Sequence, residues 1–329
     1  MGLPSQNSTH SVKRKASRSA DSTDRFRQRL DQVAADIETL LDRLLAPKPI
    51  YGEQARPARL LDAMRYASLG GGKRIRPFLV VETAKLFGVP QGRAMMVAAA
   101  LECVHCYSLV HDDLPAMDDD ALRRGRPTVH KAFDEATAIL AGDGLLTFAF
   151  DILSRPQTHA KPGIRIELTC ALARAAGIGG MAGGQMLDLA AEGRFNNGRA
   201  RGSDVGDVKK LQAMKTGALL KFACLSGAVL GEAPRKARAA VERYGSAVGE
   251  AFQVADDLLD IEGDAATVGK ATGKDEAAHK ATFLSLLGVD GARQRLKTLI
   301  VEAEKAIAPF GKDGTILRAA AHFIADRRS

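Results

Sequence analysis

Tryptophan is absent from this 329-residue chain, and aromatic residues make up only 5% of it. A core with so few rings must be filled by Ala, Leu, Val and Ile, which suits close-packed helices better than a β-sandwich. Cysteine is scarce too, at four: Cys103, Cys106, Cys170 and Cys224. Four thiols in a chain this long do not make a disulfide framework. The Cys103-x-x-Cys106 pair lacks the second pair of ligands that a structural zinc site needs. The cysteines read as buried, small, apolar residues in a reducing compartment, so the expected location is cytoplasmic. No uninterrupted apolar run approaches the ~20 residues that cross a bilayer, so no stable membrane insertion is expected. The start has no apolar core for a secretory signal, and Gln6 stands where a myristoylation site wants Ser or Thr. Alternating strand patterns and hairpin signals are missing as well.

Charge and hydrophobicity are what is present. The net charge is +8, and half of that excess lies in the first twenty residues, at Lys13, Arg14, Lys15 and Arg18. The remaining chain is only mildly basic and offers no stripe for nucleic acid. Residues 1–22 are rich in Ser, Lys and Arg with almost no large apolar residue, which predicts a flexible basic tail. From 23 to 329 the pattern predicts one large all-α domain. Leu30, Val33, Ile37, Leu40, Leu41 and Leu44 recur at helical steps. Similar patterns cover 58–68, 76–87, 93–112, 133–153, 164–177, 205–230, 235–262, 276–287, 291–307 and 313–327. Short connections with Gly or Pro join them, and none is long enough to divide the domain. Glycines 179, 180, 183 and 184, between helical patterns, allow either tight helix packing or room for a ligand.

Two acidic clusters interrupt the apolar helices. The first is HDDLPAMDDD (111–120) and the second FQVADDLLD (252–260). Like charges this close raise one another's pKa and repel unless a cation intervenes. Asp256 and Asp260 stand four residues apart, about 40° on a helical wheel, and so share a face flanked by Val254, Leu258 and Leu259. Asp112 and Asp118 are six apart and cannot share one, but Pro115 favours ending the helix, and the chain can then fold Asp118 back. Such carboxylate sets suit a hard divalent cation, and Mg²⁺ best, because it binds through one or two carboxylates plus substrate phosphates. A solvated acidic surface is the alternative, and the recurrence of the cluster beside basic motifs argues against it. Those motifs are GGGKRIRP (70–77), LRRGRPT (122–128), KTG (215–217) and VGK (268–270). Arg grips phosphate through a fork and Lys as a point charge. Acids and bases together predict two anionic ligands, one held through metal and one held directly by Lys73, Arg76 and Arg124.

In this order, DDLPAMD with LRRGRPT and FQVADDLLD with VGK resemble the two aspartate-rich motifs of the trans-isoprenyl diphosphate synthases, and GGGKRIRP and KTG match other signatures of that family. The stretch Glu102–Asp120 is most similar to the bacterial farnesyl diphosphate synthase (geranyltransferase) branch. The resemblance implies a Mg²⁺-dependent head-to-tail prenyl transfer. Isopentenyl diphosphate would condense with dimethylallyl or geranyl diphosphate, giving farnesyl diphosphate (C15) and diphosphate. It implies that Asp112, Asp113, Asp118 and Asp256 hold metal, three Mg²⁺ ions with the allylic substrate bound, and that Asp257 and Asp260 complete the second motif through water. Arg123, Lys215 and Lys270 would grip the allylic diphosphate. Thr216 and Gln253 would line its carbons, and Lys73, Arg76, His105 and Arg124 would hold isopentenyl diphosphate. Asp188 would support a lysine. A single large helical bundle with a central active-site cavity and a homodimer are implied as well.

Tyr107 and Ser108 lie about 6–7.5 Å before Asp112 along a helix. In the resembling family an aromatic at the Tyr107 position, with the inserted Pro115–Ala116, goes with a C15 product. Two departures, Ala255 for a frequent Gln and Phe283 for a more usual Tyr, avoid the proposed metal ligands. Alternatives are a geranylgeranyl diphosphate synthase and a terpene cyclase. DDLLD and a full second anion site disfavour the cyclase.

Overall fold

The computed structural model describes residues 7–195, 204–266 and 283–326, with side chains from Asp24 onward apart from those of 260–266. In chain order the helices are α1 (Asn7–Leu44), α2 (Ala58–Ser68), α3 (Ile75–Lys85), α4 (Gln91–Asp112), α5 (Val129–Ala132), α6 (Glu135–Ser154), α7 (Pro162–Ala176), α8 (Met181–Ala191), α9 (Val205–Gln212), α10 (Ala218–Leu230), α11 (Arg235–Ala266), α12 (Phe283–Ile307) and α13 (Thr315–Ala325). A π-helical turn, Ala213–Gly217, joins α9 to α10.

The centre is built from α3, α4 and α10, with α3 packed against both of the others. Ala94, Ala98, Ala99 and Ala100 of α4 and Phe78, Leu79 and Val80 of α3 are all buried. Small residues on every side of α4 let neighbours approach closely, and so it shows no polar stripe. At Gly227 of α10 a Cβ would overlap the backbone of Ala84 in α3, and only glycine permits that crossing. Around this centre α6 packs on α4 and α2, while α11 packs on α10 and α12. Local signals set the ends. Asp134 caps α6 by accepting the Thr137 N–H at 2.7 Å, Asp204 caps α9 by accepting that of Asp207 at 2.8 Å, and Pro162 opens α7. α12 is broken at Gly288, where φ is +66°.

The all-helical expectation holds, with corrections. α1 is continuous from Asn7, well before its apolar pattern and inside the segment expected as a flexible tail. α8 was not among the expected helices; its segment lay between two helical patterns. A two-stranded ribbon exists where no strand was expected: Leu122–Arg123 pairs antiparallel with Arg126–Pro127. Cys103, Cys106 and Cys224 are buried as expected, but Cys170 is exposed. Among the described residues, three helical segments, Gln91–Asp112, Glu135–Ser154 and Val205–Leu230, are long and apolar enough to cross a membrane, contrary to the reading from uninterrupted runs. The first and third are 72% and 61% buried, so their apolar surface serves the core, while Glu135–Ser154 is only 44% buried. The first part of the helix expected over 276–287 lies outside the described residues.

Candidate active site

The first acidic cluster forms where α4 ends. Past Pro115 the chain turns back, and the Asp118 N–H donates to the Asp112 carbonyl at 2.9 Å. The Met117 and Asp119 N–H groups both donate to the Leu114 carbonyl, at 2.8 and 3.1 Å. This tight loop puts the six-apart acids in one charge environment. Burial pushes the Asp112 carboxyl up to about 6; Asp118 and Asp113 add like charge, while Lys215 and Arg123 act against it. Burial also raises Asp113, whose Oδ1 accepts Arg123 Nε at 2.6 Å.

The ribbon delivers the arginines. Its turn, Arg124–Gly125, has positive φ at both positions (54° and 74°), the geometry of a two-residue hairpin turn. Arg124 at the tip donates to the Gly71 carbonyl, and a Cβ on Gly72 would overlap its guanidinium. The glycines of GGGKRIRP therefore admit an arginine. Arg126 stacks 4.2 Å from the centroid of the Tyr66 ring, and the Tyr66 hydroxyl donates to the Pro127 carbonyl at 2.8 Å. A cavity of about 60 Å³ beside the ribbon is lined by Asp113, Arg123, Arg124 and Arg126.

In GGGKRIRP the three cations have different surroundings. Arg74 is buried and donates to Glu102 at 2.5 Å, Glu38 at 2.7 Å and the Ser68 carbonyl at 2.6 Å. That residue braces the fold. Lys73 is exposed, and Arg76 is half-buried on α3. Arg76 Nη1 donates to His105 Nε2 at 3.4 Å, and its guanidinium lies 5.9 Å from the centroid of Phe252 on α11. Burial pushes His105 well below its ordinary pKa, and Arg76, Arg124, Arg74 and Arg123 push the same way. The imidazole is neutral, and since arginine can only donate, Nε2 is the acceptor.

The π-turn joins the two acidic clusters. Lys215 Nζ pairs with Asp188 of α8 and also lowers the pKa of Asp112. Its neighbour Thr216 donates Oγ1 to Gln253 Oε1 on α11 at 3.3 Å. Gln253 Nε2 in turn donates to Asp257 Oδ1 at 2.9 Å, which fixes the amide with its oxygen toward Thr216. The other Asp257 oxygen accepts the Phe283 N–H at 3.0 Å. Asp257 is therefore engaged on both oxygens; Asp256, the residue before it on α11, is half-buried. α8 touches this turn without a gap, because a Cβ on Gly184 would overlap the Lys215 backbone. Of the two readings of these glycines, close packing is the one seen at Gly183 and Gly184. π-turns inside helices recur at functional sites, where they re-aim side chains.

The polyprenyl synthetase family model matches residues 57–310. The chain belongs to that family. Its chemistry is prenyl transfer. The chain is 43% identical over 309 residues to the farnesyl diphosphate synthase of Escherichia coli (strain K12), covering 92% of this chain and 99% of that protein. It is 38% identical over 301 residues to that of Geobacillus stearothermophilus, covering 91% and 97%. The apo crystal structure of an FPP/GFPP synthase from Zymomonas mobilis superposes with a TM-score of 0.81 at 42% identity, covering 92% of this chain and 99% of that one.

Among the described residues, no three His, Cys, Asp or Glu side chains stand close enough to hold a metal ion unaided. That is no bar to Mg²⁺, which takes one or two carboxylates and completes its shell with phosphate oxygens and water. The crowded, half-buried Asp112 fits such a donor set, because its charged form is disfavoured until a cation arrives. Tyr107 is half-buried, edge-on to His111 with ring centroids 5.8 Å apart, and burial and the Asp112 charge raise its pKa. The Ser108 hydroxyl turns back to the His105 carbonyl at 2.9 Å. Lys270 and the Asp260 side chain lie outside the described residues. Sequence reasoning gave no part to Arg74, the Tyr66–Arg126 stack or Arg194. The spacing of charges carries no signal for any of them, since their partners are 6 to 78 residues away.

Proposed function

We propose that the protein condenses isopentenyl diphosphate with dimethylallyl diphosphate and then with geranyl diphosphate, releasing farnesyl diphosphate (C15) and diphosphate. The observation that carries this reading is a carboxylate group and a guanidinium group assembled around the end of α4. Asp112, Asp118 and Lys215 form one, and Arg76, His105 and Arg124 form the other. The relatives named farnesyl diphosphate synthase, at 38–43% identity over nearly the whole chain, support the product class.

Asp112, Asp113, Asp118 and Asp256 would hold Mg²⁺ against the allylic diphosphate, with Asp260 reaching it through water. Bound there, the metal supplies positive charge to the departing diphosphate. Lys215, aimed by Asp188, adds a direct cation, and Arg123 and Lys270 belong to the same grip. The C1–O bond breaks and leaves an allylic cation. Thr216 and the fixed Gln253 oxygen face that carbon and favour its positive charge. Lys73, Arg76 and Arg124 hold the second diphosphate, with neutral His105 accepting from Arg76. The double bond of isopentenyl diphosphate attacks C1 and forms the new C–C bond. That leaves a tertiary cation at C3 of the former isopentenyl unit, and loss of a proton from its C2 to the departed diphosphate restores a double bond, since His105 is too weak a base. Asp257 positions Gln253. Tyr107 limits the chain at C15, with Ser108 beside it.

A homodimer is part of this proposal. Ile139 and Leu140 on α6 and Ile166 on α7 are exposed, and a groove of about 600 Å³ between α2 and α6 is lined by Leu60, Met64, Leu140 and Phe148. A second copy would cover this surface. The proposed location is the cytoplasm, where four free cysteines remain thiols. Incubation with labelled isopentenyl diphosphate, each allylic primer and Mg²⁺ tests the whole reading by product length. C15 as the main product is expected, and C20 would favour the geranylgeranyl alternative. Loss of turnover on chelation, restored by Mg²⁺, checks the metal.

A further inference from the structure

The loop that carries Asp118 is held from outside by one side chain. Arg194 Nη1 donates to the Ala116 carbonyl at 2.7 Å, and Nη2 donates to the Met117 carbonyl. Inside the loop the carbonyls of Asp112 and Leu114 accept the Asp118, Met117 and Asp119 N–H groups. Those of Ala116 and Met117 face away from that network and meet the guanidinium. Arg194 is itself aimed by the end of α8. Gly193 has φ +81°, its N–H donates to the Ala190 carbonyl at 3.1 Å, and the Arg194 N–H donates to the Leu189 carbonyl at 3.2 Å. These two bonds with a left-handed glycine form a Schellman stop, which fixes where the next side chain leaves the helix. One turn earlier the same helix presents Asp188 to Lys215. α8 thus bears at one end supports for both a metal-binding loop and a diphosphate-binding lysine.

We propose that Arg194 is a positioning residue, a guanidinium latch that holds the Leu114–Asp119 backbone in the shape that sets the Asp112 and Asp118 carboxylates for metal. A planar fork bridges two successive carbonyls with little loss of freedom, and a lysine cannot do the same with one flexible ammonium. The latch bonds to backbone carbonyls of the loop. Its effect passes through the backbone. Its kinetic consequence rests on the prenyl-transfer reading, while its structural consequence does not.

The test uses the full-length protein with Arg194→Ala and Arg194→Lys. Without metal or substrate, amide exchange in the Ala variant should quicken about tenfold at Asp118 and Asp119, the order expected on losing hydrogen bonds from a charged donor. The Gly193 and Arg194 amides and those of α4 should keep their rates. In turnover, the Mg²⁺ concentration for half-maximal rate should rise about tenfold with KM for isopentenyl diphosphate held within about twofold, and Lys should recover only part of the change. Unchanged exchange at Asp118 and Asp119 would overturn the latch even if the enzyme were active. So would loss of protection at Gly193 in step with the loop, which would mean that the end of α8 had frayed, or full recovery by Lys. If the enzyme proved not to transfer prenyl groups, the exchange result alone would still decide the latch.

Discussion

The two acidic clusters meet the same electrostatic problem in different ways. The first, at the end of α4, is shaped by a tight loop. Its acids come from positions six apart, and the crowding leaves Asp112 with a pKa of about 6. The second lies on the regular helix α11, where spacing alone aligns the acids, and Asp257 is answered within the protein by Gln253 and the Phe283 N–H. In the first cluster Arg123 answers Asp113 while burial still outweighs Lys215 and Arg123 at Asp112, and in the second Asp257 shares its charge with the fold. A site that must receive a cation is expected to be destabilising until the cation arrives.

That contrast can be broken by substitution. Asp112→Asn should cost turnover most, about 10³-fold or more if the carboxylate orients metal against developing charge, yet it should raise the stability of the chelated protein by about 1–2 kcal/mol. Paired kinetics and unfolding with chelator check both signs. Asp257→Ala should behave oppositely in stability: leaving the buried Phe283 N–H and the Gln253 amide without an acceptor should cost about 2–3 kcal/mol, with turnover falling about 10²-fold through the loosened Gln253. Urea titration and product assays measure the two. Gly184→Ala forces a methyl into the Lys215 backbone and should cost about 1–3 kcal/mol while lowering kcat more than KM, because the lysine is displaced from Asp112. Tyr107→Ala should have the smallest effect on rate and shift part of the product from C15 to longer chains, as chromatography would show.

The comparison also sharpens with pH. Because the folded pKa of Asp112 lies above its unfolded value near 3.8, the folded state binds more protons between those limits. This group's contribution thus favours folding at low pH and is progressively lost as pH rises through about 6. In the chelated protein, wild type should lose more stability than Asp112→Asn between pH 4 and 7, and saturating Mg²⁺ with diphosphate should remove the difference. Matched melting curves at several pH values measure it.

Much of this is legible in the sequence. Asp256 and Asp260 share a face by helical arithmetic, and Pro115 signalled the turn that brings Asp118 back. The lack of rings and the abundance of Ala and Leu point to helices, and the apolar pattern over 58–68 coincides with α2. α8 was not legible, because Gly183 and Gly184 weaken a helix by local propensity and are tolerated only for the contact they make with the π-turn. The ribbon escaped notice because two residues per strand show no periodicity. Asp257 looked like its neighbours in sequence, and its engagement by Phe283, 26 residues on, follows from the packing of α12 against α11.

Residue type and short-range spacing were enough for the helical class, the acid–base inventory and the chemistry it implies, because those follow from helix periodicity and from what carboxylates and guanidinium groups do. The tertiary structure decided which of these charges answer one another: Arg74 braces Glu38 and Glu102, Arg76 turns to His105, Lys215 is the lysine that pairs with Asp188, and Arg194 grips a loop 77 residues away. Coulomb energy depends on distance and burial, and neither is set until remote segments pack together.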